Sequence, residues 1–112
     1  MRQNTEVVVT GVGAVTPLGP DVATTWSALM AGDSGIRQIS MSSNGANSPV
    51  AAGVMAIEPA GRLTPVVSKR LDRSQQAAMV AAAEAWTDAG QPDVNGDRLV
   101  SSIGTGIGGV GS

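Results

Sequence analysis

Four of the seven basic side chains, Arg62, Lys69, Arg70 and Arg73, fall within a dozen positions and form a local basic patch. Such a patch can steer and hold an acidic partner. It can equally be a solvated face whose ion pairs contribute little, and on charge alone that is the better reading. Lys69 is the sole lysine. It could act as a base if buried, but beside Arg70 and Arg73 it reads as a surface cation. A second pattern, Gly104-Thr105-Gly106-Ile107-Gly108-Gly109, satisfies G-x-G-x-x-G. In a dinucleotide-binding fold that spacing lets a pyrophosphate approach a helix N-terminus. The full fingerprint also needs a following helix and an acidic residue about 20 positions on, and the sequence stops first, so a structural turn is the stronger reading.

Nucleophilic catalysis has no visible machinery. Ser and Thr hydroxyls need an adjacent base, and the chain contains no His and no Cys. The same absences exclude disulfides, thiolate metal sites and the commonest zinc ligand. No catalytic residue, metal ligand or cofactor-binding residue is therefore assigned, and no cofactor is expected. Thr10-Gly11-Val12-Gly13 is similar to the nucleotide turn of short-chain dehydrogenases, which require further glycines where this chain has Val15 and Pro17. A tight strand exit is preferred there to a cofactor role.

The elements that must position these residues follow from the apolar pattern. Val7 to Val15 is almost continuously apolar and ends at Thr16-Pro17-Leu18-Gly19-Pro20, as a buried strand before a turn would. Asp21 stands at an N-cap position, and Val22, Trp26, Leu29 and Met30 recur at helical spacing, predicting a helix over 22–31 that stops at Gly32. Asp33 to Pro49 is rich in Ser, Asn and Gly and reads as an irregular loop. Val50 to Ile57 suggests a short strand closed by Glu58-Pro59. Asp72 to Ala89 is the clearest helix, with Gly90 and Pro92 as its stop. Leu99 to Ile103 predicts a further buried strand running into the glycine-rich segment Gly104 to Ser112. The order strand, helix, strand, helix, strand predicts an α/β layer with right-handed crossovers.

At 112 residues the chain is one domain or part of one, and the glycine-rich ending suggests a part. Phe and Tyr are absent and Trp26 and Trp86 are the only aromatics, so the core must rest on aliphatic side chains and many Ala. Burying a Val or Leu gains roughly 1.5–3 kcal/mol and an Ala much less, which leaves a thin margin over conformational entropy. The net charge of −2 argues against nonspecific nucleic-acid binding. The polar N-terminus and the apolar run broken by Gly11, Gly13 and Pro17 are unlike a signal peptide. No segment reaches the ~20 apolar residues of a membrane helix, so a soluble, cytoplasmic chain without membrane partners is expected.

Longer stretches match in order and spacing. Val7-Val8-Val9-Thr10-Gly11-Val12-Gly13, Thr16-Pro17-Leu18-Gly19, Thr25-Trp26 and Gly32-Asp33-Ser34-Gly35-Ile36 resemble the opening of β-ketoacyl-acyl carrier protein synthases. Arg70-Leu71-Asp72-Arg73-Ser74-Gln75-Gln76, Ala85-Trp86 to Ala89-Gly90 and Ile103-Gly104-Thr105-Gly106-Ile107-Gly108-Gly109 resemble that family's second helix and third strand. The resemblance covers nearly the whole chain, is nearest to the type II elongating synthases of actinobacteria, and is poorest from Gln38 to Pro49. It implies a partial thiolase-like fold, with residues 1–112 as the start of the first half of a five-layered α-β-α-β-α architecture in a homodimeric enzyme.

The implied activity is decarboxylative condensation of malonyl-acyl carrier protein with an acyl thioester, in fatty-acid or polyketide elongation. The catalytic Cys and two His of the family would lie beyond Ser112, so this piece alone is expected to be inactive. Lys69 and Arg70 resemble the basic residues that grip the acidic carrier protein, with Arg73 only a neighbour, and this raises the docking reading above the solvated one. Ile107 resembles the apolar residue that gates the acyl pocket, against a nearly equal reading as a buried strand-end residue. A nucleotide-binding oxidoreductase fragment, and a noncatalytic partner resembling a chain-length factor, stand as alternatives.

Overall fold

The computed structural model describes residues 3–109 and organises them around one long helix. Its regular elements are α1 (Val22–Met30), β1 (Ile36–Ser43), β2 (Ala46–Gly53), the single turn α2 (Pro65–Ser68) and α3 (Arg73–Asp88). Short 3-10 turns occupy Pro59–Arg62 and Gly96–Arg98.

Both longer helices begin and end where their local chemistry dictates. The Asp21 carboxylate caps α1 by accepting from Thr24 N at 2.8 Å. Asp72 caps α3 in a reciprocal box, its carboxylate accepting from Gln75 N at 2.9 Å while Gln75 Oε1 accepts from Asp72 N at 3.1 Å. Gly90, at φ +84°, ends α3 in the left-handed region that glycine adopts without strain. Gly90 N then donates to Thr87 O and Gln91 N to Trp86 O, closing the last turn.

The long helix packs against an extended segment through backbone rather than bulk. Gly11 and Gly13 lie flat on α3: a Cβ at Gly11 would come 2.7 Å from Ala89 N, and one at Gly13 would come 2.8 Å from Ala85 N. These two glycines serve helix contact, which differs from the strand exit predicted for them. Farther along, Thr16 Oγ1 accepts from Leu18 N and Gly19 N and pairs with Thr25 Oγ1 at 2.8 Å, pinning the Thr16–Gly19 turn to α1. The apolar centre is thin. Among the described residues Val80 on α3 and Pro59 are the buried side chains.

Several expectations change. Residues 7–15 form an extended segment without a strand partner, and residues 99–103 are likewise unpaired among the described residues. A buried-strand pattern needs neighbouring strands to satisfy its backbone, and the described sheet offers none beside either segment. In place of parallel strands with crossovers, that sheet is one antiparallel hairpin, β1–β2. It occupies the stretch expected to be a loop over 33–49 and begins before the strand expected at 50–57. Asn44 and Gly45, at φ 52° and 79°, make the two-residue turn with both central residues left-handed, which suits the twist of paired strands. The hairpin is mostly exposed, and the described chain is elongated, 65 × 37 × 28 Å with a radius of gyration of 17.7 Å. A compact domain of this length has a radius of gyration of ~13 Å.

Candidate functional site

The N-terminal end of α3 brings together two of the regions singled out by residue type. Thr64 caps α2 through its hydroxyl, which accepts from Val67 N at 3.4 Å, and Pro65 fixes the first helical position. One turn later the chain exits through Lys69 and Arg70, both exposed, before Asp72 starts α3. The Asp72 carboxyl is held below the ordinary carboxylate range, first by the hydrogen bond from Ser74 Oγ and then by the backbone N–H of Gln75. Asp21 is lowered chiefly by the backbone N–H of Thr24, with a small further contribution from the Arg62 charge.

Among the described residues, Arg73 is the one member of the basic cluster that forms an ion pair. Arg73 pairs with Glu58, Nη2 to Oε1 at 2.7 Å, and Arg62 lies within electrostatic reach of Asp21. The Arg73–Glu58 pair is solvent-exposed and contributes at most ~1 kcal/mol to stability. Lys69 and Arg70 enter no ion pair among the described residues.

The glycine-rich segment returns to the same helix end. Thr105 Oγ1 accepts from Gly108 N at 3.1 Å, and Gly108 sits at φ +84°, so the chain bends sharply just after Ile107. Gly109 then lies against the N-cap: a Cβ there would be 2.8 Å from Asp72 Oδ2. A carboxylate beside the last described glycine is the opposite of what a pyrophosphate would require. Ile107 stands at the bend, 84% exposed. Beside it, an open groove of about 630 Å³ runs between α3 and residues 101–105, with Leu71, Ala78, Met79, Ala82 and Ile103 among its walls. Ile107 is not among its lining residues. Val110 to Ser112, the end of the glycine-rich segment, lie outside the described residues.

Three polar side chains of α3 escaped the reading of types and spacing. Glu84 accepts from Ala14 N at 3.0 Å through Oε2 and from Val22 N at 2.9 Å through Oε1, and Asp88 accepts from Val12 N at 3.0 Å. Gln76 Nε2 donates to Ser68 O at 2.8 Å and Leu71 O at 3.2 Å. The spacing of Glu84 and Asp88, four apart on an Ala-rich helix, places them on one face and was the available signal. Among the described residues no group of His, Cys, Asp and Glu is arranged to hold a metal ion, and no helix is long and apolar enough to cross a membrane.

Known proteins similar to this chain agree with one another. The 3-oxoacyl-[acyl-carrier-protein] synthase 2 of Staphylococcus aureus (strain COL) is 40% identical over 98% of this chain and 27% of its own length. The enzyme of the same name from Coxiella burnetii is 38% identical over 93% of this chain and 26% of its own, and that of Mycobacterium leprae 38% identical over 91% and 25%. The chain thus spans about a quarter of the length of the curated relatives it matches. No solved structure matches it significantly. A family profile described as Beta-ketoacyl synthase, N-terminal domain, matches residues 4–112, and the chain belongs to that family.

Proposed function

We propose that this chain supplies the opening part of a 3-oxoacyl-acyl carrier protein synthase, an acyltransferase that extends a thioester-bound acyl chain by decarboxylative condensation with malonyl-acyl carrier protein. Support comes from the family match over residues 4–112 and from relatives named 3-oxoacyl-[acyl-carrier-protein] synthase 2. In this reading residues 1–112 are an incomplete N-terminal domain whose exposed Val7–Val9 and Leu99–Ile103 are covered by the remainder of a five-layered thiolase-like fold in a cytoplasmic homodimer. The nucleophile and the groups that drive decarboxylation belong to that remainder, since this chain has neither Cys nor His.

The chain's own part is recognition. Lys69 and Arg70 receive the acidic carrier protein, and the observation that carries this assignment is their exposure without an ion-pair partner among the described residues, while Arg73 is paired with Glu58. A compensated cation would have to give up its partner before meeting a new one, whereas these two are free to meet an acidic surface directly. Ile107 contributes to the acyl-pocket entrance, where the bend at Gly108 sets its direction. Titrating the full-length synthase with holo-acyl carrier protein at two salt concentrations tests the docking assignment. The double variant Lys69→Glu/Arg70→Glu is expected to bind about 10-fold or more weakly and with a flatter salt dependence. Unchanged affinity would remove the assignment.

A further inference from the structure

Lys69 and Arg70 lie between two carbonyls, those of Ser68 and Leu71, and one side chain holds both. Gln76 Nε2 donates to Ser68 O at 2.8 Å and to Leu71 O at 3.2 Å, using both protons of its amide. Among the described residues neither carbonyl accepts from a backbone N–H. The turn itself is short: Lys69 N donates to Pro65 O and Arg70 N to Val67 O, and nothing regular links it onward until the Asp72 cap. A single helical turn of this kind does not hold its shape by its own hydrogen bonds. Gln76 is anchored in the first turns of α3, four residues from Val80, and is half-buried. It therefore fastens an exposed dipeptide to the longest helix among the described residues.

We propose that Gln76 is a positioning residue for carrier-protein recognition: by bracketing Lys69–Arg70 it fixes the direction in which the two charges leave the surface. The inference rests on the docking role assigned above to those two residues. A preformed pair of charges gives up less conformational freedom on binding than a mobile one. Loosening the bracket should thus weaken carrier binding without altering the charge of the patch and without touching the reaction centre.

The test uses the full-length synthase with Gln76→Asn, whose amide is one methylene too short to reach both carbonyls, and Gln76→Met, which keeps the volume and removes the donors. KM is measured for the malonyl group on acyl carrier protein and for the same group on a small thiol, N-acetylcysteamine, beside Lys69→Glu/Arg70→Glu. The expected result is a roughly 3- to 10-fold rise in KM for the protein-borne substrate in both Gln76 variants, with kcat and the small-thiol kinetics unchanged. If the charge reversal raises that KM and neither Gln76 variant does, the positioning role is overturned while docking stands. If none of the three raises it, the docking assignment fails and the positioning role falls with it. Equal losses on both substrates would show Gln76 to be a folding residue only, which also overturns the proposal; Gln76→Asn keeps that comparison available should Gln76→Met not fold.

Discussion

The segment 11–22 and the segment 99–107 both run beside α3, and they are held very differently. The first is joined to the helix by three backbone-to-carboxylate hydrogen bonds, at Val12, Ala14 and Val22, and by glycine contacts that leave no space for a side chain. The second leaves Val100 87% exposed and Ile103 69% exposed, and a Cβ at Gly104 or Gly106 would meet nothing within 4 Å. Val7, 92% exposed, repeats that condition before the first segment begins. Both carry branched aliphatic residues interleaved with Gly, so apolar composition does not separate them. What separates them is whether polar groups of this chain answer their backbone. Fully burying a Val or Ile is worth roughly 1.5–3 kcal/mol, so 99–107 has much more to gain from a cover than 11–22 has.

That contrast can be broken at single residues. Gly13→Val should have the largest effect, because the colliding atoms are the backbone of α3 and no rotamer avoids them. A loss of about 3 kcal/mol or more in urea unfolding of the full-length protein is expected. Glu84→Ala comes next. It strands the Ala14 and Val22 N–H groups together and should cost about 2–4 kcal/mol in the same measurement, with Asp88→Ala costing less because it frees one.

Acid sharpens the comparison from another side. Asp21 and Asp72 both have carboxyls lowered by the hydrogen bonds they accept as caps. A lowered native pKa means that the unfolded chain binds protons first, so this stabilisation is complete above the ordinary carboxylate value of about 3.9 and fades as pH falls through the lower native one. Helical circular dichroism should hold down to about pH 4 and decline below it. The double variant Asp21→Asn/Asp72→Asn should show a shallower decline. A loss of helix centred near neutral pH would contradict the capping account. The smallest effect belongs to the hairpin turn: Asn44→Ala, at φ 52°, should raise amide exchange within 36–53 and leave α3 unchanged.

Which parts were legible follows the same division. The helices at 22–31 and 72–89 could be read because cap, periodicity and glycine stop all act within a few residues of one another. The hairpin carried a local signal too, Asn44-Gly45, but its strands are rich in Ser, Asn and Ala, so composition argued for a loop. The strands expected at 7–15 and 99–103 depend on partners far along a chain, and no local pattern can supply a partner. At the site, the charge cluster and the glycine run were visible as types. That Arg73 is paired with Glu58, and that Gln76 and Asp72 tie the two regions to one helix end, depends on contacts made only once the chain around α3 has folded.

Amide hydrogen exchange on residues 1–112 alone and within the full-length synthase tests this division most directly. The account predicts protected amides through α3 in both, and protection of 99–103 only in the longer protein, where the rest of the fold covers that segment. Protection of 99–103 in the isolated chain, or its absence in both, would contradict it.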